Sequence, residues 1–217
     1  MITRTSDTGL SCLKGCGSGH CARVNRTEPG RPPAKRIKGS PGTGALVSVG
    51  GRPKEVLLSD LRIRPLDLTD DATAAAVHRI GRAAYAVEAG LIGFDGIPAL
   101  RESLDEMRAR PLDWLGAYSS AGAVAGFLAW GPGPDGGAEI DRLCVDPGWF
   151  RRGVASLLLR HALDEVLVDR PVTVTTGAVN TPAVTLYTRL ELTRGPDFSP
   201  VPGLVMASFH RGRAGGR

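Results

Sequence analysis

Residues 138–163 read AEIDRLCVDPGWFRRGVASLLLRHAL, and this stretch decides the fold. Its first part predicts a β-strand, because a short apolar-rich run is brought to an end by Asp146-Pro147-Gly148. Its second part predicts a helix, since Val154, Leu158 and Ala162 recur at helical spacing and share one buried face. The sequence therefore indicates a strand, a tight turn and a helix that begins near a glycine.

The start of this helix is suited to binding an anion. The first turn of a helix leaves four backbone N–H groups unpaired and carries about half a positive charge, so a phosphate can dock there. Gly153 and Ala155 leave the amides accessible because neither has a bulky side chain, and Arg151 and Arg152 add charged groups. An ordinary amphipathic helix with two solvated arginines explains the same residues, so this motif alone leaves both interpretations open.

Two motifs taken together resemble the GNAT superfamily of N-acyltransferases. The segments 143–147 and 151–155 are similar to its acyl-CoA motif, and Asn180, followed seven residues later by Tyr187, resembles its second signature. The likeness extends over residues 61–210. Two motifs in the right order are more specific than either alone.

The sequence departs from the family pattern at two places. Phe150 stands three residues before Gly153, where the family has Gln or Arg, so one polar contact near the phosphates is missing. Glu191-Leu192 replaces the common Gly-Phe, which removes the residue that most readily ends a helix in the left-handed conformation. We expect that corner to be strained or reshaped.

The element order predicts an α/β fold in which helices flank a GNAT-like mixed central sheet, β-α-α-β-β-β-α-β-α-β-β. Strands are predicted at residues 61–66, 114–118, 123–130, 139–145, 171–176 and 204–209, and helices at 67–89, 99–108, from 154 onward and at 181–190. The strand at 171–176 is expected to pair with the strand at 139–145.

The first two helices are predicted to form the acceptor side, as the resemblance implies. The first should begin at a Thr69 or Asp70 cap and the second should carry its acids outward. The predicted inner face of the first helix is Val77, Ile80, Ala84 and Val87; the predicted outward acids are Glu102, Asp105 and Glu106; surface or packing roles are predicted for His78 and Tyr85.

The resemblance also implies the catalytic groups. A lysine-like amine has a pKa near 10.4, so leaving it unprotonated at pH 7 costs about 4.6 kcal/mol and calls for a general base. Glu139 is the first candidate base and Asp141 the reserve, with a surface carboxylate as the alternative for each. Tyr187 is the predicted acid for the departing thiolate, with a packed aromatic side chain on the final helix as the alternative, and the Val145 amide is a candidate oxyanion donor.

In the family, the pantetheine arm of the cofactor inserts between two splayed central strands. Main-chain groups of Leu143 and Val145 would bind it, and Cys144 between them is expected to pack rather than react. Asn180 would bind the pantetheine or anchor its loop. The predicted cofactor-binding residues are Leu143, Cys144, Val145, Arg151, Arg152, Gly153, Val154, Ala155, Ser156 and Asn180.

Charge divides the chain of 217 residues into two parts. Residues 1–54 hold ten Lys or Arg against two acids and so have a net charge of +8. Since the net charge of the whole chain is +5, the remaining residues have a net charge of −3. An acidic domain favours cationic amine acceptors, and only the basic extension argues for weak nucleic-acid binding. No apolar run reaches the roughly 20 residues of a membrane span, and no secretory signal is evident, so the predicted location is the cytoplasm.

We expect a disordered Gly/Pro/Ser-rich extension at residues 1–60, an acetyltransferase domain at 61–210 and a flexible tail at 211–217. The extension could also be an upstream artefact of translation. It contains one group of metal-ligand types, for which reduced thiols are favoured over zinc: Cys12, Cys16, His20 and Cys21.

The predicted function is transfer of an acetyl group from acetyl-CoA, the acyl-donor substrate, to a primary amine by direct attack, without a metal. A homodimer is possible. The alternatives are a non-catalytic acyl-CoA sensor or interaction module of the same fold, and a nucleic-acid-binding protein that depends on the basic extension.

Overall fold

The computed structural model describes residues 60–213, and these residues form a mixed eight-stranded sheet with helices on both faces, as predicted. The predicted extension with its Cys/His group and the last four residues of the tail lie outside the described residues. The strands are β1 Arg62–Pro65, β2 Asp113–Tyr118, β3 Val124–Pro132, β4 Ala138–Val145, β5 Val172–Gly177, β6 Thr193–Arg194, β7 Phe198–Val201 and β8 Leu204–Arg211. The helices are α1 Asp71–Ile92, α2 Leu104–Arg108, α3 Val154–His161 and α4 Thr181–Arg189.

The strand order is β1-β2-β3-β4-β5-β8-β6, and β7 also pairs with β8. Neighbouring strands are antiparallel except β4 and β5, which are parallel. The predicted pairing of the two central strands is therefore confirmed. The prediction of two final strands is wrong by one, because β6 is only two residues long and gives no readable pattern.

The central strands separate after a short paired segment. Only Ala138–Ile140 of β4 pairs with β5, in register with Val172–Val174. The partner register of β4 with β3 also shifts at this point, since Ala129 pairs with Arg142 while Trp130 pairs with Ile140. The shift is a β-bulge at Asp141, and bulges bend a strand away from its neighbour. The sheet therefore opens between β4 and β5 beyond Ile140.

The helices bury the two faces of the sheet separately. On one face, Leu158 and Leu159 of α3 and Tyr187 of α4 join a core with residues of the central strands. On the other, Val77 and Ile80 of α1 pack with α2 and with inward residues of β2 and β3. This layering places α3 and α1 on opposite sides of the opening. No helix within residues 60–213 is both long and apolar enough to cross a membrane.

Helix α1 begins and ends later than predicted. Asp70 is its cap, and the Asp70 carboxylate accepts a hydrogen bond from the Thr73 amide at 2.8 Å. Asp67 instead accepts hydrogen bonds from the amide and hydroxyl of Thr69, which forms a separate turn before the helix. The helix continues to Gly93, whose φ of 66° provides a left-handed stop.

The extra length of α1 changes the prediction for its inner face. Val77 and Ile80 are fully buried, but Val87 is 42% exposed, so its assignment to the core is wrong. The last turns of α1 run past the core and face the opening in the sheet. Tyr85 is buried, and a ring nitrogen of His78 is hydrogen-bonded to the Glu102 carbonyl at 2.8 Å, so both side chains pack.

The predicted helix at residues 99–108 is two short pieces, a 3-10 turn at Pro98–Leu100 and α2. Ser103 separates them because its hydroxyl accepts from the Glu106 amide while the Glu106 carboxylate accepts from the Ser103 amide. Glu102 lies just before this capping box, and its outward placement is wrong: its side chain is only 10% exposed. It turns inward to bind two arginines.

Helix α3 continues through one π turn at Ala162–Val166, and α4 ends at the corner that lacks glycine. Glu191 there adopts a φ of 62°, so a non-glycine residue supplies the left-handed conformation, at a cost of roughly 1–2 kcal/mol. The Leu192 amide then donates to the Tyr187 carbonyl at 3.1 Å. The strain expected from the sequence is present.

Candidate active site

The opening between β4 and β5 is part of a cavity of about 790 Å³. Its lining comes from the end of α1 with the loop after it, the separated edges of β4 and β5, the turn before α3 with the first turn of that helix, α4 and the start of β8. The predicted site residues that line it are Leu143, Cys144, Val145, Arg151, Gly153, Val154, Ala155, Ser156, Asn180 and Tyr187. Glu139 and Arg152 do not belong to the lining.

The turn between β4 and α3 presents the first amides of α3 to the cavity. Asp146 closes the turn by accepting from the Gly148 amide at 2.9 Å, and Gly153 has a φ of 78°. The first helical hydrogen bond runs from the Leu157 amide to the Gly153 carbonyl at 3.0 Å, so the preceding amides lie outside the helical ladder. Gly153 offers no side chain to cap them. An anion in the cavity can therefore bind them directly.

The side chains around this turn are positively charged and aromatic. Arg151 is exposed, lines the cavity and has a φ of 62°. The Arg152 guanidinium lies 5.4 Å from the centre of the Trp149 ring, a stacking arrangement that places it beside the cavity rather than in its wall. Phe150, the departure from the family pattern, lines the cavity and is 38% exposed.

The β4 wall is held in place by a close contact with β3. A Cβ atom at Gly126 would lie 2.8 Å from the Cys144 carbonyl oxygen and 3.2 Å from the Val145 Cα and from a Val154 methyl group. Only glycine allows β3 to approach this closely. Cys144 itself is 3% exposed and belongs to the core beside α1, which agrees with the packing role expected for it.

Tyr187 and Asn180 approach the cavity from α4. Tyr187 is 5% exposed, and its ring centre lies 5.2 Å from that of Phe209. The Asn180 side-chain oxygen accepts from the Ala183 amide at 3.4 Å and so caps α4. Its amide nitrogen donates to Glu88 Oε1 at 3.0 Å. Of the two roles expected for Asn180, anchoring of the loop is thus visible in the structure.

Glu88 is a cavity residue that the sequence analysis missed. It lies half-buried on α1, and its Oε1 atom accepts from the Thr176 hydroxyl at 3.3 Å as well as from Asn180. The available signal was its spacing: Glu88 is three residues after Tyr85, which also lines the cavity, so the two share a helix face. From the sequence, Tyr85 has only a predicted surface or packing role and Glu88 has no predicted role.

The two candidate bases occupy different surroundings. Glu139 is half-buried on β4, opposite Thr173 of β5 in the paired segment and outside the cavity lining. Asp141 lines the cavity at the bulge, with a side chain 4% exposed, but its oxygens accept from Arg142 Nε at 3.0 Å and from Arg110 Nη1 at 3.3 Å.

Glu102, Arg110, Asp141 and Arg142 form a buried ion network on the α1 side of the sheet. Glu102 accepts from Arg142 Nη1 at 2.6 Å and Nη2 at 2.8 Å, and from Arg110 Nε at 2.7 Å. Burial acts to raise the pKa of Glu102, but the hydrogen bonds and charges of the two arginines outweigh it and lower that pKa below its ordinary value. Burial likewise opposes the charge of Arg142, yet Glu102, Tyr85 and Asp141 raise its pKa. The network is charged and internally balanced.

Within the described residues, no group of three or more His, Cys, Asp or Glu side chains is arranged to hold a metal ion. The polar groups around the cavity are instead backbone amides, arginines, hydroxyls and carboxylates. This set is suited to a phosphorylated organic ligand.

Part of the chain matches a family model and part matches a curated protein. Residues 85–191 match the model of the acetyltransferase (GNAT) family. The chain is 34% identical over 127 residues to the UPF0157 protein YqkA of Bacillus subtilis (strain 168), an alignment that covers 58% of this chain and 36% of YqkA. This chain therefore spans well under half the length of that relative.

Solved structures share the fold at low sequence identity. The yncA structure from Salmonella typhimurium with its cofactor acetyl-CoA is 17% identical, with a TM-score of 0.52 over 72% of this chain and 96% of that one. The paiA N-acetyltransferase from Thermoplasma acidophilum in complex with coenzyme A is 13% identical, with a TM-score of 0.52 over 68% and 97%. The domain described here, with its separated central strands and uncapped α3, has the fold of the GNAT acetyltransferases, and residues 85–191 within it match the model of that family.

Proposed function

We propose that this protein is an acetyl-CoA-dependent N-acetyltransferase that moves the acetyl group to a primary amine within a ternary complex. One observation carries the proposal: the gap between β4 and β5 and the uncapped start of α3 open into the same cavity. A carrier with a diphosphate at one end and a thioester arm at the other fits that combination. The cofactor-bound relatives of the same fold support it.

The diphosphate of the carrier would bind the first amides of α3, at Val154, Ala155 and Ser156, with Arg151 adding charge. Arg152, stacked beside Trp149, would contribute at the rim. The pantetheine arm would enter the gap as an added strand and bind main-chain groups of β4 between Leu143 and Val145.

The chemistry is a direct transfer. The neutral amine nitrogen bonds to the thioester carbonyl carbon, the C–S bond breaks with its electron pair going to sulfur, and the nitrogen loses one proton. Glu139 is the proposed base, and it would act through a water chain because it stands outside the cavity lining. Asp141 is the reserve, at the disadvantage that Arg110 and Arg142 already contact its carboxylate.

The leaving thiolate takes up a proton. Its reference pKa near 8.5 means that protonation returns only about 2 kcal/mol at pH 7, so the main value of an acid is to stabilise the departing sulfur. Tyr187 is the proposed acid, since it lines the cavity from α4. The Val145 amide is the proposed donor to the tetrahedral oxyanion.

Calorimetry with coenzyme A, followed by thiol release from acetyl-CoA over a panel of primary amines, tests the proposal. We expect micromolar binding and amine-dependent release. Absence of binding at millimolar coenzyme A contradicts the whole assignment. If Glu139→Gln and Tyr187→Phe both turn over like the parent protein, the class stands and the two roles are wrong.

The placement of the two candidate bases favours one alternative function, an acyl-CoA-binding module without turnover. The Glu139 side chain does not line the cavity. Asp141 does line it, but its carboxylate is paired with Arg110 and Arg142. Binding of coenzyme A without thiol release for any amine selects this alternative.

A further inference from the structure

The end of α1 forms an apolar wall on the cavity. Val87 and Leu91 are one turn apart, 42% and 50% exposed, and both line the cavity with Ile92. Phe94 of the following loop joins them, and its ring lies where a Cβ atom at Gly96 would come within 2.5 Å. Val87 and Leu91 are exposed while Ile92 and Phe94 are half-buried, and together they form an apolar surface that a ligand in the cavity can cover.

This wall lies at the end of β5, where the sheet is open. A Cβ atom at Gly177, the last residue of β5, would be 2.6 Å from the Ile92 side chain, so α1 is packed directly on that strand end. Glu88 reaches the same place through its bonds to Thr176 and Asn180. The wall is therefore on the opposite face of the sheet from α3, away from the proposed phosphate site.

Glu88 is a cavity carboxylate that forms no ion pair with any other described residue. Two carboxylates line the cavity, and Asp141 is paired with arginines. The partners of Glu88 in the described residues are the neutral donors of Thr176 and Asn180, and both bind Oε1. Arg142 provides no free countercharge, since Glu102 and Asp141 occupy its guanidinium on both sides and its side chain is 4% exposed.

We propose that the acceptor is a primary amine on an apolar body, such as an arylalkylamine, with its amino group bound by Glu88 and its body on the wall of Val87, Leu91 and Phe94. This inference rests on the proposed N-acetyltransferase function. We expect discrimination against a carboxylate next to the amino group, because it would face Glu88 while the guanidinium groups of Arg110 and Arg142 are already paired with Glu102 and Asp141.

The test compares acceptors that differ in one property each. Phenethylamine is the probe, phenylalanine adds a carboxylate, ethylamine removes the apolar body and spermidine replaces it with charge. We expect kcat/KM for phenethylamine to exceed that for each of the others by about tenfold or more, the range by which an apolar pocket discriminates.

Two variants tie the preference to the wall. Glu88→Gln keeps an oxygen that can accept from Thr176 and Asn180, so it removes the charge and preserves the anchor; we expect KM for phenethylamine to rise about tenfold. Leu91→Ser, at an exposed position, should reduce the phenethylamine to ethylamine ratio about tenfold. Glu165→Gln, an exposed carboxylate on the π turn, is the matched control and should change neither.

The affinity for coenzyme A, measured by calorimetry, should stay within about twofold in both variants, because the wall is remote from the α3 amides. Turnover that favours phenylalanine, ethylamine or spermidine overturns the apolar-amine inference and leaves N-acetylation intact. A fall in kcat for Glu88→Gln with KM unchanged contradicts the binding role of Glu88. Coenzyme A binding without acetylation of any amine refutes the proposed function, and this inference with it.

Discussion

Replacing Glu102 by glutamine removes the negative charge at the centre of the buried ion network. The Glu102 carboxylate binds Arg142 through hydrogen bonds of 2.6 and 2.8 Å and Arg110 through one of 2.7 Å, and only 10% of its side chain is exposed. Breaking a buried pair from one side costs about 3–5 kcal/mol because a buried charge is left uncompensated. Glutamine keeps one accepting oxygen, so we expect about 3 kcal/mol, or a fall in Tm of about 6–12 °C for a domain of this size.

Urea denaturation at pH 7 and at acidic pH measures this effect, with Asp105→Asn as the control, since Asp105 is an exposed carboxylate on α2. The pKa of Glu102 lies below its ordinary value in the folded protein, so its stabilising effect is present above the ordinary pKa of a glutamate and is lost as the pH falls through the lower folded value. The gap between parent and Glu102→Gln should therefore narrow in acid. A variant within about 0.5 kcal/mol of Asp105→Asn at pH 7, or a gap that widens in acid, refutes the network as a source of stability.

Three further changes address the cofactor side of the cavity. Gly153→Ala forces a side chain into a φ of 78°, a strain of about 1–2 kcal/mol that is relieved if the backbone presenting the first α3 amides moves away from its binding position, so Kd for coenzyme A by calorimetry should rise about 5- to 30-fold. Gly122→Ala carries the same strain at a φ of 80° in the β2–β3 turn, outside the cavity lining, so it should lower stability and leave that Kd unchanged. Tyr187→Phe should lower kcat about 100-fold or more in the thiol-release assay, because the ring keeps its packing on Phe209 and only the hydroxyl is lost; an unchanged kcat excludes Tyr187 as the acid. Asn180→Ala removes the α4 cap and the bond to Glu88 and should lower the free energy of unfolding by about 1 kcal/mol or more, whereas an unaltered unfolding curve would contradict the anchoring role.

The parts of the fold that were predictable are those whose signals are local. The strand, turn and helix of residues 138–163 follow from an apolar run, a Pro-Gly interruption and a helical period, all within a short stretch. The strain at Glu191 was also predictable, because a missing glycine at a helix end is a property of one position. The identity of the cofactor site depended on these same local patterns.

The acceptor side was less predictable because its polar residues are placed by distant partners. The sequence near Glu102 is typical of a solvated helix residue, whereas in the structure Arg142, 40 residues later, binds its carboxylate. Glu88 accepts a hydrogen bond from Asn180, 92 residues away in the sequence, and the residues next to Glu88 do not predict that contact. Helical periodicity placed Val87 in the core because the pattern does not reveal where the sheet ends beneath a helix. The roles of Glu139 and Tyr187 stay predictions.

Gly126 has a consequence for how the protein can vary. Its missing side chain lets one position on β3 touch both the strand that would hold a thioester arm and the helix that would hold a diphosphate, through Val145 and Val154. Even a methyl group at this position would displace both binding regions at the same time, because protein interiors are close-packed and hold no cavity for the added atom. The distance between the two regions proposed to bind the carrier thus depends on a residue that need not contact the carrier.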